Sequence, residues 1–254
     1  MLHNLQNLIK ICVCFGGLLY VFFTVIDFTY FTSFSKSINL HSGPRGTTWA
    51  NISQSLLVNM SLLSMFIIQH SLLALTGISS KIKYMLNKLG LEVLYRSIYV
   101  ITTAAVLQLL MNRWVHIHEV TLWQLNLNYQ PFWWLYVSLH VTAWVIIYVG
   151  NICTDITELL GIKQVRYSLY RVPRDPCVMK SENLRRLYNH MRHPSFVAFT
   201  LIFWATPIMT LDRFLLACIL TLYMTVTWKT DEKDYNYQKY QYIRKYHELD
   251  RLKR

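Results

Sequence analysis

Between residues 192 and 234 two short apolar segments are flanked by a guanidinium and an imidazole at the start, Arg192 and His193, and by three carboxylates at the finish, Asp231, Glu232 and Asp234. Arg192-His193-Pro194-Ser195-Phe196 leads into an apolar stretch that ends near Met209, and Thr210-Leu211-Asp212-Arg213 follows. A second apolar stretch runs from Phe214 to about Trp228, and then comes Lys229-Thr230-Asp231-Glu232-Lys233-Asp234. So short a link predicts a tight helical hairpin. A hairpin returns the chain to its starting level, so Arg192 and His193 are expected at the same membrane face as Asp231, Glu232 and Asp234. A cation and an imidazole facing a carboxylate cluster suit a polar ligand that carries charges of both signs. They suit equally a salt-bridged foot that only holds the hairpin together. The sequence leaves both readings open.

The elements that position these residues are membrane helices. The chain is 54% hydrophobic and 15% charged, with a positive mean hydropathy. Soluble domains carry about 25% charged residues. Apolar segments fall near 9–31, 54–77, 93–112, 131–152, 194–209 and 213–229. The first four approach the roughly 20 residues that cross about 30 Å of hydrocarbon. The last two are short and suit a packed hairpin in a locally thinned bilayer. The expected fold is all-α: a polytopic membrane helix bundle of about six transmembrane helices, forming one integral membrane domain over 1–254. It ends in the C-terminal hairpin and an interfacial C-terminal helix. The N-terminus reads as an uncleaved first span near 9–31, because Asp27-Phe28-Thr29-Tyr30-Phe31 stands where a small-x-small cleavage site would be needed.

Residues 153–193 form a polar loop, in which Arg171-Val172-Pro173-Arg174-Asp175-Pro176 cannot be a continuous helix. The tail over 230–254 is basic and Tyr-rich. Tyr235, Tyr242 and Tyr246 fall at helical spacing there, with Lys239, Arg244, Lys245 and Arg251 nearby. It reads as a helix on the membrane surface or one packed on the chain's own loop.

Charge supplies the orientation. With six spans, the N-terminus, the 78–92 loop, the 153–193 loop and the tail share one side, which holds 20 of the 25 Lys and Arg. That side is expected in the cytoplasm or nucleoplasm, with both termini. The net charge of +12 is then an orientation signal and an attraction to anionic lipid. No recognition motif accompanies it, so specific nucleic-acid binding is not expected. Cys12, Cys14, Cys153, Cys177 and Cys218 lie in spans or on the reducing side and predict no disulfide, and no His/Cys set predicts a metal site. Of two glycosylation sequons, Asn59-Met60-Ser61 falls inside the second span and Asn51-Ile52-Ser53 lies too close to the membrane to be modified.

Polar residues inside spans are costly and informative. Gln69-His70-Ser71 falls in the inner half of the second helix, and Arg96 and Tyr99 fall early in the third. His140 stands midway along the fourth, and Asn151, Asp155 and Glu158 mark its inner end. They are expected to gather toward the cytoplasmic half, above the Arg192/His193 foot. They form either a polar pocket opening inward or a helix–helix hydrogen-bond network with Arg96 reaching the headgroups. A transporter is disfavoured. The sequence has no inverted repeat, and Asp27, Arg96 and His140 make no obvious relay.

Several segments carry a resemblance: Gln69-His70-Ser71-Leu72-Leu73-Ala74, Arg96-Ser97-Ile98-Tyr99-Val100, Leu139-His140-Val141 to Trp144, and Glu158-Leu159-Leu160-Gly161-Ile162-Lys163-Gln164-Val165. Arg192-His193-Pro194, Thr206-Pro207, Asp212-Arg213-Phe214-Leu215-Leu216-Ala217 and Leu220-Thr221-Leu222-Tyr223 complete the set. In this order and spacing they resemble the nurim family, multi-spanning proteins of the inner nuclear membrane, over nearly the whole chain. That resemblance implies a non-enzymatic nuclear-envelope resident, continuous with the endoplasmic reticulum, whose partners are membrane lipids and nuclear-envelope proteins. The oligomeric state is not legible.

The nurim family is in turn similar to isoprenylcysteine carboxyl methyltransferases and bacterial NnrU-type membrane proteins. In the methyltransferases an Arg-His-Pro-x-Tyr motif and a Glu-Glu pair hold S-adenosylmethionine. This wider resemblance implies cofactor binding by Arg192, His193, Pro194 and Glu232. The alternative function is thus an S-adenosylmethionine-dependent methyltransferase acting on a lipid-borne thiol or carboxylate. Such an enzyme works mainly by aligning nucleophile and sulfonium in a dry pocket, and no residue here is assigned an acid–base or nucleophilic role. The chain departs from the enzyme pattern: Phe196 stands for Tyr, Ala198 for Gly, Asp231 for the first Glu, and Tyr235 for Leu. The Phe-Gly-x-x-Tyr-x-x-Tyr tail is missing. These departures favour the reading without catalysis and without a cofactor.

Overall fold

The computed structural model describes residues 2–34, 49–126, 128–153, 156–170 and 196–227, with residues 236, 239, 240, 243, 247, 250 and 251 of the tail. Its helices are α1 (Leu2–Ser33), α2 (Trp49–Ala74), α3 (Thr76–Lys88), α4 (Tyr95–Arg113), α5 (Gln130–Cys153), α6 (Ile156–Leu159), α7 (Ile162–Leu169), α8 (Phe196–Trp204) and α9 (Leu211–Thr227). Two short strands, β1 (Thr121–Gln124) and β2 (Ile208–Thr210), pair antiparallel. Among the described residues four helical stretches are long and apolar enough to cross a membrane: Asn4–Ser33, Trp49–Ala74, Glu92–Arg113 and Gln130–Ile152. The described residues of the tail are helical and exposed. Tyr235, Tyr242 and Tyr246 lie outside the described residues, as does 171–176.

Cross-helix bonds fix the directions. Gln6 Nε2 donates to the Leu89 carbonyl and Gln108 Nε2 to Asp27, so α1 and α4 run parallel. Gln69 meets Thr102 while Asn59 meets Val115, so α2 runs against α4. Ser33 meets His140 and Thr29 meets Tyr148, so α5 runs against α1. The Trp204 ring meets the Phe214 ring, so α8 and α9 form an antiparallel pair. The six long-axis helices therefore alternate. One end of the bundle, here the near end, carries the start of α1, the α2–α4 connection, α6 and α7, the start of α8 and the finish of α9.

The near-end connection explains itself residue by residue. Leu75 is extended (φ −64°, ψ 131°), which breaks the helix and turns α3 away from α2. Gly90 (φ +69°) stops α3: Leu91 N–H donates to Leu86 O and Gly90 N–H to Asn87 O. That is the Schellman arrangement, which needs a left-handed residue and so favours glycine.

The core lies between α5, α8, α9 and α2. Ala143, Ala198 and Ala217 are fully buried beside Leu63, Ile202 and Phe203. Small residues at these positions let helix backbones approach closely, which is how helices associate when lipid removes the hydrophobic drive.

The hairpin differs from the expected one. The helix that opens at Phe196 ends at Trp204, not near Met209, because Pro207 cannot continue it and Ile208–Thr210 pairs with β1 instead. Asp212 and Arg213 are not a link: they form the first turn of α9. The connection expected as a loop over 78–92 is mostly helix α3, which begins at Thr76 and ends at Lys88.

Candidate functional site

At the near end, α2, α4 and α9 bring together side chains far apart in sequence. Tyr99 O–H lies 3.0 Å from His70 Nδ1 and 3.3 Å from the His70 carbonyl. Ser71 Oγ lies 3.0 Å from the Tyr223 hydroxyl, and the Tyr223 ring stands edge-on to His70 at 6.4 Å. Gln69 Nε2 donates to Thr102 and Thr103, whose own hydroxyls bond back to α4 carbonyls. Gln69 Oε1 is buried with no hydrogen-bond partner among the described residues. Tyr95 O–H donates to the Leu73 carbonyl, one of the orphan acceptors at the end of α2.

Directly above sits the segment Glu158–Val165. Arg96 Nε donates to Leu159 O at 2.8 Å, and Ser97 Oγ donates to Leu160 O at 3.3 Å. Gly161 makes this docking possible. Its φ is +83°, and a Cβ there would lie 2.5 Å from Ser97 Oγ and 2.8 Å from Ser97 N. Arg96 also lies over the Tyr99 ring, 5.5 Å from its centroid, so it is tied both to the cluster and to the segment above. Glu158 is fully buried, with Lys163 Nζ 3.6 Å from its carboxylate. Lys10 Nζ donates to Ser168, fastening α7 to α1.

The sequence expected Gln69, His70, Ser71, Arg96, Tyr99 and Glu158 at one end, and the structure gathers them there. Tyr223 was not foreseen, although its place near the end of an apolar helix was a signal. Cofactor candidates Arg192, His193, Pro194 and Glu232 lie outside the described residues, as do Asp231 and Asp234. The described hairpin carries Phe196 and Thr227 at its near end, beside Tyr223.

His140 is elsewhere, contrary to expectation. It faces the far end: Ser33 Oγ lies 3.0 Å from Nδ1, and Nε2 lies 3.1 Å from Ala205 O. Trp144 Nε1 donates to the same Ser33 oxygen. The Ala205 carbonyl can only accept, so Nε2 carries a proton. Asp27, Arg96 and His140 occupy three separate places.

The far end is a rigid cap. Asp212, fully buried, accepts from Trp114 Nε1 at 2.9 Å and Ile117 N–H at 3.2 Å, with His116 Nδ1 3.2 Å away. Arg213 donates to the carbonyls of Phe31, Thr32 and Phe34, which end α1 without helical partners. Asn59 clamps the Val115 peptide, donating to its carbonyl at 2.7 Å and accepting from its N–H at 3.0 Å. Asn59 is wholly buried, as its expected inaccessibility requires, while Asn51 is exposed in the first turn of α2. Cys12, Cys14 and Cys218 are free, and no His/Cys/Asp/Glu group among the described residues could hold a metal.

Chemically, the near-end set offers neutral donors and acceptors under a charged rim of Arg96, Glu158 and Lys163. It can hold helices together or receive the polar part of a ligand. The architecture and these in-membrane polar pairs define a multi-pass α-helical membrane protein.

Among known proteins the chain is 44% identical to a nurim homolog of Drosophila pseudoobscura pseudoobscura over 185 residues, 72% of this chain and 71% of that one. It is 33% identical to nurim of Xenopus laevis over 238 residues (89% and 81%) and 33% identical to nurim of Homo sapiens over 257 residues (96% of each). The chain belongs to the nurim family. No protein-family model and no solved structure matches it.

Proposed function

We propose that this chain is a resident of the inner nuclear membrane, with both termini on the nucleoplasmic and cytoplasmic side and no catalytic role. The nuclear-envelope placement rests on the family. The orientation rests on one observation: among the described residues the alternating helices bring Lys10, Lys81, Lys83, Lys88, Lys163 and Arg166 to the near end, and basic segments stay on the cytoplasmic side. The in-membrane polar groups support a structural role, since His70, Ser71 and Gln69 each bond to a neighbouring helix. Its partners are membrane lipids and nuclear-envelope proteins, with no specific nucleic acid.

Epitope tags at each terminus test this. In cells whose plasma membrane alone is opened with digitonin, both tags at the nuclear rim should stay hidden, and full permeabilisation should reveal both. Engineered glycosylation acceptors in residues 35–48 should be used and those in the tail should not. A glycosylated tail overturns the orientation, and absence from the rim overturns the placement.

One observation supports a second reading. The polar set of His70, Ser71, Tyr99 and Tyr223 lies beside the near end of the α8–α9 hairpin, the end that carries Phe196 and Thr227. In an S-adenosylmethionine-dependent methyltransferase Arg192 would meet the cofactor's carboxylate, and Glu232 its ribose or ammonium group. The cofactor would supply an electrophilic methyl group, and the chain would align a lipid-borne thiol or carboxylate in a dry site. Calorimetry on the detergent-purified protein decides between the readings. Micromolar S-adenosylmethionine binding that Arg192→Ala and Glu232→Gln both abolish establishes the second; folded protein without binding excludes it.

A further inference from the structure

We propose that α3 is a headgroup-layer anchor that binds anionic phospholipid through Lys81 and Lys88, with Tyr84 and Met85 seated among the upper acyl chains. The inference deepens the orientation proposed above, since the anionic leaflet is the cytoplasmic one. Helix α3 joins two candidate spans, and the extended Leu75 turns it away from α2, so it lies where a bilayer surface must be. Its half-buried face is Ile78, Ile82 and Leu86, at i, i+4 and i+8. Lys81, Tyr84, Met85 and Lys88, at i, i+3, i+4 and i+7, lie on the outward side and are exposed.

Tyr84 is 64% exposed, Met85 67% and the adjoining Leu89 61%, beside lysines, with no Asp or Glu from 75 to 91. An acidic protein segment or a nucleic acid would satisfy the lysines and leave these apolar groups in water; a lipid surface satisfies both. The lysines divide the work. Lys83 Nζ lies over the Tyr95 ring at 5.3 Å and is used inside the protein. Lys88 Nζ lies 4.7 Å from the Tyr84 ring centroid, so the ring shields its stem while the ammonium keeps its hydrogen-bond donors.

The test uses the full chain in nanodiscs of phosphatidylcholine and phosphatidylserine, with a genetically encoded fluorescent amino acid at Met85 or, on the opposite side of the helix, at Asn87. Trace nitroxide-labelled phosphatidylserine or phosphatidylcholine is the quencher. The probe at 85 should be quenched several-fold more than the probe at 87, and more by the serine lipid than by the choline lipid. Lys81→Gln and Lys88→Gln should each weaken that preference up to about fivefold, the equivalent of one lysine at an anionic surface. A probe at 85 that neither lipid quenches overturns the proposal and leaves the face to a soluble partner. Equal quenching by both lipids overturns headgroup recognition. Both leaflets of the disc hold both lipids, so these outcomes do not depend on the orientation, which the tag experiment tests separately.

Discussion

Gly161→Ala should unseat the turn that docks residues 158–165 on the start of α4. Two costs add. Gly161 has φ +83°, and a residue with a Cβ pays about 1–2 kcal/mol there. The new methyl would also lie 2.5 Å from Ser97 Oγ, 2.8 Å from Ser97 N and 3.3 Å from Arg96 Cβ. The hydroxyl can rotate away, but the backbone nitrogen cannot, and such overpacking costs about 1–3 kcal/mol. The sum is about 2–5 kcal/mol, unless the turn lifts away and gives up the Arg96–Leu159 and Ser97–Leu160 bonds. Denaturant unfolding of the detergent-purified chain, followed by the monodisperse fraction on gel filtration, measures it. Ser97→Ala is the control and should lose only about 0.5–1.5 kcal/mol, one neutral hydrogen bond. Ser97→Ala should also fail to rescue Gly161→Ala, because the Ser97 nitrogen remains. A Gly161→Ala protein within about 0.5 kcal/mol of the parent, the range of a neutral surface change, would refute the docking argument.

Other changes test the far end. Asp212→Ala strands the buried Trp114 indole N–H and the Ile117 N–H, at about 1–3 kcal/mol for each unsatisfied donor. Asp212→Asn keeps one acceptor oxygen and should fall between Ala and the parent in thermal unfolding. Asn59→Ala frees both polar groups of the Val115 peptide and should cost about 2–4 kcal/mol in the same assay. His140→Phe removes the Ser33 and Ala205 contacts and should destabilise by about 1–3 kcal/mol; His140→Gln, which can donate and accept, should recover part of that.

Much of the architecture was readable before any coordinate. Long apolar segments can only be helices in lipid, because each satisfies its own backbone there. The excess of Lys and Arg on alternate connections marks one end, since charge resists transfer through the bilayer. The grouping of Gln69, His70 and Ser71 with Arg96 and Tyr99 followed from counting helix turns from the same membrane surface. Helical period and composition are local properties, and each of these inferences needed nothing more.

What the sequence did not disclose depends on contacts across great separations in the chain. Asp212 looked like part of a polar link, yet it is fully buried beneath Trp114 and Ile117. An acid in the first turn of a helix was the one local hint of its place. Arg213 closes the open carbonyls of α1, some 180 residues earlier in the chain. His140 was expected with the near-end group, and only its contacts with Ser33 and Ala205 turned it to the far end. The sequence by itself determined which segments enter the membrane and which connections are basic, because those depend on transfer of each segment from water. The tertiary structure alone decided the partner of each buried polar group, because a hydrogen bond is set by distances of about 3 Å between helices whose relative rotation no single helix encodes.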